Sequence, residues 1–243
     1  MPRVACLWVP RMILTSHLRV EPDLVGVPLV MVESDGSRSI VTATSELAER
    51  VGLVVGMKAS QARAAYDGLV VRKVRREVIA AAAAALADVA LTVGSRVELQ
   101  GDDRVFIDCR GTAALWPSES ALATALSARA RRCGLDAWVG IADSKLGAVI
   151  AAREGGGVCI VPVGGLRRFL APRAVSLLDP DPAIALTLET WGIRSIGDLL
   201  ALPAGAAMHR LGPLGAEMIR RARGEDDAPI AVRPMSHTFE EAL

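Results

Sequence analysis

The chain has 243 residues, 51% of them hydrophobic and 23% charged, enough apolar material for one large or two smaller cores, which excludes global disorder. The formal net charge of +1 excludes nucleic-acid binding through the field of the whole chain, so any such contact must come from local basic patches. The four cysteines (Cys6, Cys109, Cys133, Cys159) and three histidines (His17, His209, His237) lack zinc-ligand spacing and exclude a disulfide framework, so the thiols read as buried and reduced.

Val4 to Val9 is a short apolar run ended by Pro10 and predicts a buried strand. The apolar start, Met1 to Leu14, carries Arg3 and Arg11 and no small-residue cleavage site, and no run approaches the ~20 residues of a membrane span, so a cytoplasmic protein is expected. Met12 to Val20 predicts a helix, Leu29 to Val32 and Ser39 to Ala43 strands, Ser45 to Val51 a short helix closed by Gly52, and Gln61 to Ala65 another. Arg72, Lys73, Arg75 and Arg76 form a basic run suited equally to DNA phosphates and to simple solvation.

Val78 to Leu91 is Ala-rich and strongly helical, because Ala loses no side-chain entropy in a helix. Val97 to Gln100 and Val105 to Cys109 flank Gly101-Asp102-Asp103-Arg104 and predict a β-hairpin. Ser118 caps a helix to Arg132 with Leu122, Leu126 and Ala130 along one side. Ala137 to Ile141 reads as a strand, Lys145 to Arg153 as a helix and Val158 to Val163 as a last strand. Gly155-Gly156-Gly157 lacks the Gly-Lys-Ser/Thr of a phosphate loop and reads as the turn between the last two. Helices interrupting a sheet that contains an antiparallel hairpin make the fold α+β. From Leu166 to Gly224, short helices separated by Pro172, Pro180, Pro182, Pro203 and Pro213 predict a small all-helical unit.

Four stretches, in this order, resemble the Y-family DNA polymerases. They are Glu21 to Val30, Thr42 to Met57 with Gly52 and Gly56-Met57, Glu98 to Asp108, and Val139-Gly140-Ile141-Ala142-Asp143-Ser144-Lys145-Leu146. The resemblance covers nearly the whole chain and implies a palm-like mixed sheet with helices (1–10 and 72–164), fingers (11–71) and a small all-helical thumb (165–230). It also implies a linker (231–243) toward a little finger that this sequence does not contain.

The resemblance carries a chemistry, two-metal nucleotidyl transfer, in which Mg²⁺ ions are held by converging carboxylates. Counting back from the glycine matched by Gly26 puts Trp8 where those polymerases have the first carboxylate, and the hairpin puts Asp103 on their Asp but Arg104 on their Glu. Indole offers no oxygen, and a guanidinium about 4 Å from a cation costs roughly 4 kcal/mol at an effective dielectric near 20. Glu46 and Glu49 fall where the family has a Tyr and an Arg that hold the triphosphate, Ile13 falls at the steric-gate position, and the Lys-Pro-x-Gly segment shortens to Gly155-Gly156-Gly157. Taken alone, Asp102 and Asp103 fit turn preference and Glu46 and Glu49 fit the first turn of a helix.

This degenerate pattern is similar to the ImuB group of the bacterial mutasome. It implies no cofactor and no metal, a nucleoid-associated cytoplasmic setting, and a non-catalytic part in damage-induced (SOS) translesion synthesis. The implied partners are primer–template DNA, an error-prone replicative-type polymerase, a RecA-like accessory protein and the sliding clamp, although the sequence carries no Gln-x-x-Leu-Phe-like clamp peptide. In the thumb-like part, Trp191-Gly192-Ile193 and Leu211-Gly212-Pro213-Leu214-Gly215 resemble helix-hairpin-helix turns that present backbone N–H groups to phosphates, with Arg220, Arg221 and Arg223 adding charge. Gly192, Gly212, Gly215 and those three arginines are therefore the DNA-binding candidates. The first hairpin shows Asp181-Pro182-Ala183-Ile184 in place of the usual Pro-Gly-Ile-Gly. Two alternatives stay open at this point. One is an active polymerase using Asp102, Asp103 and Asp108 in a rearranged site, and the other is a protein-interaction module without DNA affinity.

Overall fold

The computed structural model describes residues 3–35, 38–225 and 229–231, without the side chains of 35, 38 and 204–209. The chain opens with β1 (Val4–Trp8), whose consecutive apolar residues can all be buried only if both faces of the strand are covered. Helix α1 (Met12–Val20) follows, then the antiparallel pair β2 (Leu29–Asp35) and β3 (Arg38–Thr44), then α2 (Glu46–Arg50) capped by Ser45 and α3 (Ala59–Ala65). After β4 (Val70–Lys73) come α4 (Arg76–Leu91), the hairpin β5 (Val97–Gln100) and β6 (Arg104–Asp108), and α5 (Glu119–Arg132), capped by Ser118. Strand β7 (Trp138–Ala142), α6 (Lys145–Glu154) and β8 (Val158–Ile160) complete the larger sheet. Helices α7 (Leu166–Leu170), α8 (Pro182–Thr190), α9 (Ile196–Ala201) and α10 (Ala204–Ala222) form the last unit.

The larger sheet has the order β5-β6-β1-β7-β8, with β1 antiparallel to both neighbours and β7 parallel to β8. Alternation along β1 divides its side chains between two cores. Ala5 and Leu7 face α4 and α5, while Val4 and Cys6 face α6 and the helices after Leu166. The α+β reading holds, and the final unit is all-helical. The predicted elements recur with boundaries shifted by a few residues, except that β8 stops at Ile160, ahead of Pro162, instead of reaching Val163.

Arg72 and Lys73 lie in β4, which pairs parallel with β2 at the edge of the three-stranded sheet β3-β2-β4. The basic run is also largely neutralised. Arg72 and Arg75 both bond Glu21 at 2.9 Å, and Arg76 bonds Glu33, which removes much of its claim on phosphates. At the other end, residues 229–231 leave the helices and return to the hairpin. Glu98 on β5 accepts from Lys145 Nζ at 2.5 Å and from the Ala231 N–H at 2.6 Å, while Lys145 also donates to the Pro229 carbonyl at 2.7 Å. Ile230 nonetheless packs in the core shared with the last helices.

The fully buried His17 is a structural residue. Its Nδ1 faces the Ile13 carbonyl at 2.7 Å and its Nε2 accepts the Arg75 N–H at 3.0 Å, which requires the proton on Nδ1.

Helix α6 lies directly on Gly140 at the middle of β7. A Cβ there would stand 2.1 Å from the Ala148 carbonyl oxygen and 2.3 Å from the Ala152 nitrogen, so any side chain must lift the helix from the sheet. Gly140→Ala is expected to lower stability by about 3 kcal/mol, read as a fall in the urea midpoint with an unchanged slope.

Candidate functional site

The register of the larger sheet assembles the site. Trp8, the last residue of β1, lies opposite Arg104 of β6 on one side and Trp138 of β7 on the other. Its indole Nε1 donates to Asp103 Oδ2 at 2.9 Å, and Arg104 Nε donates to Asp103 Oδ1 at 2.9 Å. The Asp103 carbonyl accepts the Val9 N–H at 2.8 Å, which ties the hairpin turn to the end of β1. The two indoles meet edge to face, 5.5 Å between centroids and 75° between planes. Arg153, in the last turn of α6, places its guanidinium carbon 5.5 Å from the Trp8 centroid. Beneath this layer lies Cys6, its thiol pushed up to about 12 by burial, so it is neutral and unreactive.

The structure thus brings Trp8, Asp103 and Arg104 together. The donor set does not fit Mg²⁺, which needs several hard oxygen ligands. Asp103 supplies the site's one carboxylate, both of its oxygens already accept hydrogen bonds, and a guanidinium stands beside it. Among the described residues no group of three or more His, Cys, Asp or Glu could hold a metal. The rearranged set of Asp102, Asp103 and Asp108 does not converge. Asp102 is exposed in the turn, while Asp108 lies at the opposite end of β6, about 13 Å along a five-residue strand. There it pairs across the sheet with Val4 and is gripped by Arg110 at 2.6 Å and Arg96 at 3.2 Å.

The positions matched to triphosphate binding are acidic and occupied. Glu49 accepts from Thr44 Oγ1 at 2.8 Å and from Arg11 Nη2 at 3.0 Å, and these bonds, the Thr44 one foremost, hold its carboxyl below the usual range. Glu46 is exposed in the first turn of α2. Ile13, on α1, is partly buried and packs against two of the cores. Gly155 caps α6, and the three glycines form the helix-to-strand turn.

The thumb-like candidates separate. Gly192 follows the C-terminus of α8 and donates its N–H to the Glu189 carbonyl at 2.9 Å, so it presents no free donor at a helix N-terminus, contrary to the expectation from sequence. Gly212, at φ 63°, marks the kink that divides α10, and Pro213 opens the second half. Gly215 is required by packing, since a Cβ there would lie 2.0 Å from Leu211 Cβ. Arg220, Arg221 and Arg223 lie at the far end of that half-helix, roughly 12 Å or more from Gly212 at 1.5 Å per residue, so they do not reinforce its N-terminus as expected. Arg220 is bound to Glu217 and to the Glu225 carbonyl.

Three site residues escaped the sequence reading: Trp138, Arg153 and Arg11. The signal for Trp138 was cross-strand register with Trp8. Arg153 and Arg11 carry no local signal, because their roles come from helix packing and from the left-handed backbone at Arg11, φ 53°.

Comparison with known proteins places these observations. The impB/mucB/samB family matches residues 7–153. The chain is 31% identical over 191 residues to Protein ImuB of Caulobacter vibrioides strain NA1000, covering 78% of this chain and 42% of that protein. It is 27% identical over 218 residues to DNA polymerase IV of Dehalococcoides mccartyi strain CBDB1, covering 87% of this chain and 55% of the relative. The chain thus spans about half the length of these curated relatives. Among solved structures, it is similar to an insertion ternary complex of Dbh DNA polymerase, TM-score 0.81 and 16% identity over 94% of this chain and 69% of that one. It is also similar to DinB from Sulfolobus solfataricus, TM-score 0.79 with the same identity and coverage. At this identity the two structures speak for the fold, a Y-family polymerase fold.

Asp108 offers a test of its structural place. Hydrogen bonds from Arg110 hold its carboxyl below the usual range. The folded-state pKa being lower than the unfolded one, its stabilising contribution is full above about pH 4 and is lost as pH falls through the folded value. Asp108→Asn is expected to flatten the acid limb of the stability–pH curve below about pH 4, measured by urea melts.

Proposed function

The chain belongs to the impB/mucB/samB family, and from that premise we propose that it is a non-catalytic polymerase homologue, a DNA-binding adaptor in damage-induced translesion synthesis. One observation carries this reading. The positions that the resemblance matches to the converging carboxylates of a nucleotidyl transferase hold an indole and a guanidinium, both bonded to Asp103. A lone neutralised carboxylate gives Mg²⁺ neither the ligand count nor the charge it requires. Glu49 at the matched nucleotide position supports the same conclusion, since it offers a triphosphate no donor and engages the neighbouring Arg11 in an ion pair.

The adaptor role rests on retention of the fold without the chemistry. A polymerase fold is kept over 94% of this chain, which supports a retained surface for primer–template DNA and for partner proteins. The Caulobacter relative's name, ImuB, points to the mutasome setting. An error-prone replicative-type polymerase, a RecA-like accessory protein and the sliding clamp are the proposed partners, and a cytoplasmic, nucleoid-associated location is proposed with them. No helix among the described residues is long and apolar enough to cross a membrane.

Primer extension and primer–template binding, assayed side by side with dNTPs and Mg²⁺ or Mn²⁺ across a salt series, test this. The expected result is binding that weakens with salt and no extension with either metal. Metal-dependent extension abolished by Asp103→Ala would overturn the non-catalytic reading, and binding absent at every salt concentration would move the function to protein partners.

A further inference from the structure

We propose that the partly exposed end of the larger sheet, where Trp8, Trp138, Arg104 and Arg153 converge, binds an unpaired nucleotide of a DNA strand without metal, its phosphate on the guanidiniums and its base on an indole face. This deepens the DNA-binding reading above and rests on it.

The charge at the site is the first ground. Arg153 has no acidic partner among the described residues, and its Nε is buried without a hydrogen bond. That Nε is closed to a ligand, so an anion would take charge-assisted hydrogen bonds from the Nη groups of this guanidinium. Arg104 spends its Nε on Asp103, and its two Nη groups have no hydrogen-bond partner among the described residues. Asp103 is the acid bonded to Arg104, and both its oxygens are engaged, by Trp8 and by Arg104, while Glu98, on the same face of the sheet, is paired with Lys145. Two cations against one neutralised carboxylate leave a net positive site.

The rings are the second ground. Trp8 and Trp138 are each only partly buried. Their edge-to-face contact consumes one face of one ring, and Arg153 covers a face of Trp8, so the partly exposed Trp138 is the ring to which the proposal assigns the base. Rigid aromatic faces beside guanidiniums are the platform on which single strands stack while their backbone is neutralised. Bases inside a duplex are already stacked on each other, which restricts the ligand to single-stranded or junction DNA. The guanidiniums carry the charge that a divalent ion would otherwise supply, so binding does not require Mg²⁺.

The experiment uses the full chain in a Trp116→Phe, Trp191→Phe background, so that fluorescence reports Trp8 and Trp138. It is titrated in EDTA with an oligothymidylate of about 12 nucleotides and with a blunt duplex. The single strand is expected to quench the fluorescence and the duplex to do so weakly. Arg153→Gln should weaken single-strand binding about tenfold, the equivalent of one charge-assisted hydrogen bond, and lower the salt slope by about one. Arg153→Lys, which keeps the charge, should retain most of both, and matching thermal melts for the two variants exclude a folding defect. Single-strand binding without quenching, quenching that needs Mg²⁺, or an unaltered Arg153→Gln variant would overturn the site while leaving the adaptor reading intact. Metal-dependent extension together with Arg153-dependent quenching would sink the non-catalytic reading and spare the site, whereas a parent chain that binds no single strand loses the site outright.

Discussion

Burial of β1 on both faces is the constraint on which the rest depends. Val4, Ala5, Cys6 and Leu7 are each at most 6% exposed, so two layers of helix must be supplied, and neighbouring strands must satisfy every backbone group that the strand takes out of water. Helices α4 and α5 provide one cover, and α6 with the later helices provides the other. The closeness of the second cover comes from Gly140, where the sheet accepts helix backbone in place of a side chain. A strand held this way has no freedom of register, because a shift of one residue would exchange its two cores.

A fixed register fixes the chemistry at the strand's end. Whatever residue follows Leu7 is delivered between Arg104 and Trp138, beside the turn that carries Asp103. With a carboxylate at that position, two acids would face each other and need a cation. With Trp8, the same geometry is satisfied internally, as the indole N–H and the Arg104 guanidinium take up the oxygens of Asp103. The substitutions are mutually consistent. Arg104 without Trp8, or Trp8 without a donor-hungry Asp103, would leave a partly buried polar group less well paired.

This coupling explains what the sequence could reveal. Trp8, Asp103 and Arg104 were legible as a set through the resemblance to the Y-family polymerases, since taken alone each fits a strand core or a turn. The large elements were legible from local pattern, with apolar runs, a Ser118 cap and an Ala-rich helix. Strand β4 was not, because Val70-Val71-Arg72-Lys73 is half charged and is a strand by virtue of edge pairing with β2. The thumb-like arginines were misplaced because proximity in sequence along a helix is distance along its axis, and Gly192 because a glycine that ends one helix reads the same as one that starts the next. Arg153 was invisible, since its position over Trp8 is set by the packing of α6 on β7.

On the proposed non-catalytic reading, a site without metal ligands is not an inert surface. Ligand carboxylates concentrate negative charge that only a bound cation offsets, and guanidiniums in their place carry the opposite charge. Arg153 reaches this point from the end of α6, as Trp8 does from β1 and Arg104 from β6. Three elements anchored in two cores hold these groups with little freedom, and such preorganisation is what binding an anion demands, since no ordering remains to be done when the ligand arrives. A surface that served only to fill the vacated volume would be met by apolar packing of Trp8 and Trp138. Arg153 over the Trp8 ring stabilises this layer by a cation–π contact, and recognition of phosphate is the further use the proposal gives to its charge.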